Sequence, residues 1–347
     1  MADRLTLSAG VDPAYALGML IKAGIGGNAL ALEWCAARGI AKAQVENINS
    51  QGGFLVPADV AASIIALRDS YGVARANAQI VPMARDNDSY PRRVTGVSGA
   101  WVGEGSAPAQ SAATFDNVGL TAKKYAALVL VSTEQLEDSA ADLGKFLAED
   151  IAWTFAKNED NTLWNGDGTS TYAGMTGIAT AIVDGNHGAA DIACASGVHT
   201  FATITMTDLA NLMAAIPANA WPGAAWFISQ YGFAECMCRL AGVSGADIFV
   251  LNGKPHFLGS PVVFSQSLPA TSSAFTSAVG LAFGDMSLST ILGDRRTLTI
   301  KRSDDRYMDT DQIGIVATER FCIVNHSLGN NTAGSSTAPL VGLVGTS

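Results

Sequence analysis

The amino-acid sequence predicts an α+β chain, and three features carry that assignment. Strand-like and helical segments are mixed without the strict strand–helix–strand alternation of a parallel α/β fold. One segment, residues 139–165, sustains a helical pattern far beyond the average helix of about 11–12 residues. The last part of the chain is strand-rich, with "TLTIKRS" and "IGIVATERFCIV" as long pairing candidates.

The 347 residues allow one large domain or two ordinary ones with a substantial core. Charged residues make up 15% of the chain, well below the roughly 25% of an average soluble protein. A chain so short of charge hides surface, and extensive subunit contacts are favoured over a merely neutral Ser, Thr, Asn and Gly exterior. The net charge of −10 argues against a protein that grips nucleic acid, because phosphate binding needs clustered Lys and Arg. It leaves open a protein that surrounds nucleic acid without gripping it. Cys35, Cys194, Cys236, Cys238 and Cys322 match no zinc or thioredoxin-type spacing, and read as small buried thiols in a reducing cytosol. Asp3, Arg4 and Asp12 interrupt what a secretory signal would need. The most apolar run, "YAALVLV" at 125–131, is far short of the roughly 20 residues that span a bilayer. A soluble protein made in the cytoplasm is expected.

Residues 1–50 are Ala-rich and read as helical segments broken by Gly24, Gly26 and Gly27. After Gly52 and Gly53, Pro57 and Asp59 start a helix with Val60, Ile64 and Leu67 at helical spacing. From 78 to 132 the texture is strand-like: "AQIVPMA", "DSYPRRVTG", "SGAWVGEG" and "FDNVGLTAKKYAALVLVS" are separated by turn residues. In the last of these, Val118, Leu120, Ala122, Ala126, Leu128 and Leu130 fall on one face. So long a two-stranded excursion has too little core to stand alone, and another subunit is the natural support.

Ser139 and Asp142 then form a capping-box pattern, with Glu137 and Asp138 at the positive end of a helix. Leu143, Leu147, Ile151, Thr154 and Phe155 make one stripe, while Asp142, Lys145, Glu149 and Asp160 project from the other side. To Asn165 this helix would run about 40 Å at about 1.5 Å per residue. Trp153 lies off the stripe and calls for a second burying surface. Gly166 and Gly168 stop the helix. Beyond them "TGIATAI" reads as a strand, "DLANLMAAI" as a helix, "AAWFISQYGFAECMCRL" as a strand running into a helix, and "SPVVFSQSLPA" as a strand ended by Pro269. Only "GNNTAGSSTA" near the C-terminus looks loose.

No constellation for chemistry emerges. "NGDGTS" lacks the spacing and the Lys of a P-loop, and neither G-x-S-x-G nor H-E-x-x-H occurs. His187, His199, His256 and His326 show no ligand spacing. Glu149–Asp150 and Glu159–Asp160 are adjacent pairs that point about 100° apart on a helix, so they read as a solvated face. "SDDRY" at 303–307 reads as an ion-pair turn with Arg302 and Arg306 rather than a cation site. No catalytic residue, cofactor site or metal site is expected, and the chain is not read as an enzyme.

The order of the pieces resembles the major capsid proteins of tailed bacteriophages, with the Hong Kong 97-type fold. The resemblance rests on "GGFLVP", "SGAWVGEGSAPAQSAATFDNVGLTAKKYAALVLVSTEQLEDS", the long helix with "NEDNTLWNGDGT", "GSPVVFSQSLP", "AFGDMS", "DRRTLTIKRSDDRY" and "DQIGIVATERF". It spans about Gly52 to Val324. It implies an N-terminal arm (1–50), a linker helix of the peripheral domain (51–77) and an extended β-hairpin loop (78–132). A spine helix and its peripheral domain (133–175), an axial domain (176–282), peripheral strands with a loop (283–324) and a C-terminal segment (325–347) would follow. The loop tip, with Trp101, Glu104, Gly105 and Pro108, would reach a neighbouring subunit. The peripheral loop, with Arg302, Asp304, Asp305, Arg306 and Asp311, would lie near three-fold contacts. Leu143, Leu147, Ile151 and Phe155 would be the core of the spine helix.

The function implied is self-assembly as pentamers and hexamers into an icosahedral or prolate head in the host bacterial cytoplasm. The virion capsid would enclose double-stranded DNA without sequence-specific binding and without a membrane. A portal protein, a separate scaffold and a cement or decoration protein are the implied partners. Closed heterologous contacts suit large low-charge interfaces, and an acidic inner wall lets DNA slide. Some members of the family weld their shells through a loop-tip Lys, an Asn and a Glu. Here "VGEGSAP" has no Lys, Asp311 and Gln312 stand for the Asn, and Thr318 stands for the Glu, so a non-covalent shell is expected. The stretch before "GGFLVP" is short for a built-in scaffolding domain, which points to a separate scaffold or to cleavage of an earlier segment. An encapsulin-like nanocompartment shell shares this fold, and a prophage or gene-transfer particle capsid would read the same. A soluble hydrolase or adhesin with a non-local site is the remaining alternative.

Overall fold

The computed structural model describes residues 71–346 except 104, 106, 108, 109, 304, 305, 333 and 334, together with residues 37, 54, 55 and 68. The expected arm and the Pro57–Leu67 helix therefore lie outside the described residues. Two sheets and one long helix organise the rest. The first sheet contains β1 (Phe54–Leu55), β2 (Gln79–Pro82), β5 (Lys123–Ser132), β12 (Thr290–Ser303) and β13 (Gln312–Asn325), in the order β1-β12-β13-β5 with β2 also on β12. The two long strands that the sequence suggested do pair, antiparallel, from Thr290↔Asn325 to Ser303↔Gly314. Between β2 and β5 a hairpin leaves the sheet, formed by β3 (Asn87–Thr95) and β4 (Thr114–Thr121). Residues 96–103, expected to include a strand, have no regular structure.

Two further expectations change at the hairpin's return. "FDNVGLTAKKYAALVLVS" is two strands broken at Ala122, whose N–H donates to the Asp86 carbonyl. Because β4 pairs with the hairpin and β5 with β13, the buried phase switches between them. Leu120 is 2% exposed, but Leu128 and Leu130 are 51% and 45% exposed, and Val131 is buried instead.

The long helix α2 (Thr133–Asn165) follows a short α1 (Val73–Asn77) and extends about 50 Å at about 1.5 Å per residue. It begins directly after β5, six residues before the expected start at Ser139. Ser132 and Gln135 make an earlier S-x-x-Q pattern, but Ser132 at the N-cap makes no side-chain cap hydrogen bond, and Ser139 falls inside the helix. Leu147, Ile151 and Phe155 are buried, Thr154 is partly buried, and the side chain of Leu143 is outside the described residues. Ala148, Ala152 and Ala156 are buried beside them, small enough to bring the helix close to β5 and β13. Tyr125 of β5 meets Phe155 edge to face at 5.0 Å. The helix ends at Gly166, where the backbone turns out of the helical region (φ −53°, ψ 125°), and no side chain fits there because a Cβ would lie 2.7 Å from the Met175 carbonyl oxygen and 2.8 Å from the Gly177 nitrogen.

The second sheet runs β6-β14-β11-β7-β10-β9-β8. It is built from β6 (Asp191–Ala193), β7 (Ala225–Ile228), β8 (Ile248–Leu251), β9 (Lys254–Phe257), β10 (Ser260–Phe264), β11 (Val279–Gly284) and β14 (Leu340–Val344). "TGIATAI", expected as a strand, is the short helix α3 (Ile178–Ile182). An apolar run of that length suits a buried helix as well as a strand. The helix α4 (Met206–Ala215) is closed by a Thr205–Asp208 capping box. A second helical run, α5, joins Gln230–Gly232, a π-helical turn at Phe233–Cys238, and Arg239–Ser244. The C-terminal strand β14 inserts between β6 and β11, and Leu340, Val341 and Leu343 are wholly buried. Trp226 and Phe283 pack at 4.3 Å in this core. Trp164, in the last turn of α2, joins it against Phe227 at 5.7 Å. The spine helix thus packs on one sheet along its middle and enters the core of the other at its end.

Candidate assembly surfaces

The hairpin is fixed at its base and bare at its tip. Leu120, Met83, Ile291 and Cys322 form a small core beneath it. Tyr90 meets His326 edge to face at 6.4 Å, and Arg92 donates to the His326 carbonyl at 2.6 Å and to Asp116 at 2.8 Å. Burial, then the Arg92 charge, holds the His326 imidazole below its usual pKa. At the far end Trp101 is fully exposed, and Val97, Val102 and Phe115 are exposed as well. Gly105 adopts φ +81° at the turn. Of the expected tip residues, Trp101 and Gly105 are thus described, whereas Glu104 and Pro108 are outside the described residues.

At the end of the β12–β13 pair, Arg306 stacks over Tyr307 at 5.7 Å. Tyr307 lies on Gly314, where a Cβ would be 2.8 Å from its ring. Asp311 turns the chain with φ +50°, and the Tyr307 carbonyl accepts from the N–H groups of Thr310 and Gln312. Asp304, Asp305 and the Arg302 side chain lie outside the described residues.

Of the adjacent acids of the spine helix, Asp150 is exposed and Glu149 half-buried, whereas Glu159 and Asp160 are not a solvated face. Glu159 is fully buried and accepts from Arg75 through Nε (3.0 and 2.9 Å) and Nη2 (2.7 Å). Arg75 also reaches Glu319 of β13 at 2.6 Å and Asp294 of β12 at 3.0 Å, and Arg68 donates to Glu319 at 2.5 Å. Burial alone would lower the Arg75 pKa. Hydrogen bonding and charge from Glu159, and then Glu319 and Asp294, override that and raise it. Burial first, and the Glu159 charge second, push Glu319 up to about 9. Buried in the middle of the cluster, Glu319 holds a proton more tightly than an exposed carboxyl does, while its Oε1 accepts from both Arg68 and Arg75. Next to Glu159, Asp160 accepts from the N–H groups of Val73 (3.0 Å) and Ala74 (2.7 Å). It caps α1 as a side chain from another helix. Burial nonetheless raises it to about 6 despite those two bonds.

This cluster ties segment 68–77, the spine helix and the first sheet together. Sequence reading missed it because its members lie up to 251 residues apart. The usable hint was Glu319, a lone acid within the apolar strand "IGIVATERFCIV". Trp153, expected to be buried, is 44% exposed and sits under Lys157 Nζ at 4.6 Å. It borders an open cleft of about 450 Å³ shared with Tyr71, Tyr231 and Phe264.

Cys194, Cys236 and Cys322 are buried, and burial pushes their thiols up to about 12, 12 and 11. Cys238 is exposed, contrary to the expectation of buried thiols, because it follows Cys236 by two residues and faces away from the core. Cys35 lies outside the described residues. Among the described residues no group of three His, Cys, Asp or Glu side chains could hold a metal ion. No described helix is long and apolar enough to cross a membrane.

The phage capsid family model matches residues 52–323. The major capsid protein of Klebsiella oxytoca phage phiKO2 is 26% identical over 263 residues, 75% of this chain and 60% of the relative's length. Among solved structures, the capsid of a native GTA particle aligns with a TM-score of 0.57 at 19% identity, covering 79% of this chain and 90% of the other. The Mycobacterium phage Cain structure aligns at 0.56 and 20% identity with the same coverage, and that of Microbacterium phage Oxtober96 at 0.57 and 17%, covering 79% and 91%. These likenesses establish the fold as that of the Hong Kong 97-type capsids, and the chain belongs to the phage capsid family.

Proposed function

We propose that the chain is the major capsid protein of a tailed-phage head, forming pentamers and hexamers that close into a shell around double-stranded DNA. The observation that carries this reading is the hairpin. Its base is packed and hydrogen-bonded, while its tip presents Trp101 to solvent with nothing of its own chain to cover it among the described residues. An exposed Trp at the end of an anchored arm is a feature for contact with another molecule. The low charged fraction and the net charge of −10 support a shell that meets its copies over neutral surface and encloses DNA without gripping it. The role is structural, and the shell is held without a covalent weld. A portal, a scaffold and a decoration protein are partners in this reading, with assembly in the host bacterial cytoplasm and residence in the virion.

Negative-stain electron microscopy of the purified chain, with sizing chromatography, tests the proposal. Rings of five or six, or closed polyhedral shells, are expected. A uniform monomer that persists at high concentration and with a scaffold added contradicts it.

A further inference from the structure

The first sheet carries a row of positive charge on the face turned away from the spine helix. Glu319 and Tyr125 are directly paired across β13 and β5, and both meet the helix side, at Arg75 and at Phe155. Strand alternation therefore turns the next pair, Arg320 and Lys124, to the opposite face. Arg296 of β12 stands directly opposite Arg320, so three cations line up across three neighbouring strands. β12 shifts register on both sides of Arg296, and such a bulge re-aims side chains. Arg295 consequently reaches the same place. Asp86 accepts from Arg320 Nη1 at 3.0 Å and lies 3.5 Å from Arg295 Nε, a buried atom with no hydrogen-bond partner. Among the described residues neither Lys124 nor Arg296 has a carboxylate partner, and Arg296 Nε donates to Thr299 Oγ1 at 3.0 Å. The rest of this face, with Thr318, Val316 and Gly314 on β13 and Ala126, Leu128 and Leu130 on β5, carries no acid. Four cations thus meet one carboxylate in a chain that has 31 acids against 21 Lys and Arg. Like charges directly opposite each other destabilise a sheet, and a bound anion removes that repulsion.

We propose that Lys124, Arg295, Arg296 and Arg320 form a binding site for a short polyphosphate anion from solution, inorganic or carried by a nucleotide. The row spans two strand spacings, about 10 Å at about 4.8 Å each, which exceeds a single phosphate and suits a short chain of them. Guanidinium groups offer paired donors that match phosphate oxygens. A nucleic-acid backbone fits less well, because gripping it takes cations spread along many phosphates, and the net charge of −10 repels it beyond the patch. The hairpin of a second copy fits less well again. Its Asp88, Glu104 and Asp116 stand against Arg92 and Arg93, and Arg92 already holds Asp116. The site lies at the root of the hairpin, where the Ala122 N–H donates to the Asp86 carbonyl and β5 begins. An anion bound there ties β12, β13 and β5 together at the point where the hairpin leaves the sheet.

Melting curves of the full chain with inorganic tripolyphosphate, set against NaCl of equal ionic strength, test the site. A rise in melting temperature that saturates with tripolyphosphate and is absent with NaCl is expected. Lys124→Gln and Arg296→Gln, both at exposed positions, are each expected to weaken the apparent affinity about tenfold, the loss of one charged hydrogen bond. Without the anion both variants should melt at or above the wild type, because a like-charged neighbour is gone. A rise that NaCl reproduces, or one that both variants retain in full, overturns the inference. A short DNA duplex is the second probe. Retention of the duplex that the variants lose, with no saturable response to tripolyphosphate, overturns the free anion in favour of nucleic acid. The melting readout does not need assembly, so the shell-forming reading stands or falls separately.

Discussion

Arg75 and Glu159 are joined by three hydrogen bonds of 2.7–3.0 Å although 84 residues separate them in sequence. The pair fastens the short helix before the hairpin to the spine helix, and through Glu319 and Asp294 to both long strands.

Breaking this joint on one side leaves a buried carboxylate without its cation. Arg75→Met is expected to cost about 3–5 kcal/mol of stability, the usual penalty for stranding half of a buried pair. Urea denaturation of the monomer measures it, and a loss below about 1 kcal/mol would show that the pair behaves as a surface ion pair.

The cluster also sets a pH dependence. Asp160 is raised from 3.8 to about 6 and Glu319 from 4.5 to about 9, both chiefly by burial. Raised carboxyls bind protons more tightly folded than unfolded, so their contribution is fully present below the ordinary carboxylate range. It is lost as pH rises, through about 6 for Asp160 and about 9 for Glu319. Melting temperature should therefore fall between pH 5 and pH 9 by this contribution. Glu319→Gln, which keeps the shape of the neutral acid, is expected to flatten the upper part of that fall. An identical pH profile for the variant would contradict the raised pKa of Glu319.

Two tryptophans on the spine helix should behave oppositely. Trp164 is wholly buried in the core of the second sheet, against Phe227, and Trp153 is 44% exposed. Trp164→Ala is expected to cost about 3–5 kcal/mol, and Trp153→Ala, with over half of its surface covered, about 1 kcal/mol. Comparable losses in thermal unfolding would mean that Trp153 is buried after all.

At the hairpin tip, Trp101→Ala should separate folding from assembly. The side chain touches little of its own chain, so the melting temperature is expected to stay within about 2 °C, the shift of a change below about 0.5 kcal/mol. Shell yield by sedimentation is expected to drop sharply. Normal yield would show that the tip is not a contact.

Long periodic segments were legible in the sequence. The β12–β13 pair, the hairpin strands, the spine helix and its Leu147–Ile151–Phe155 stripe all followed from spacing, because many residues voted for one period. Short segments were not. Ile178–Ile182 has too few residues to separate helix from strand, and two capping patterns, at Ser132 and Ser139, competed for one helix start. The phase switch that exposes Leu128 and Leu130 comes from β4 and β5 joining different sheets, which no local pattern encodes. The burial of Glu159 and Asp160 was illegible for the same reason, since their partners at 73–75 and 319 are distant in sequence. Asn252-Gly253, a two-residue hairpin signal, was missed in the sequence, and it is the turn between β8 and β9.

The most direct test of the central claim is a mass measurement on the purified chain by mass photometry across a concentration series. The account predicts species at five and six times the 35.8 kDa protomer, followed by shells of far greater mass. A single 35.8 kDa species at every concentration, unchanged by scaffold, would contradict it.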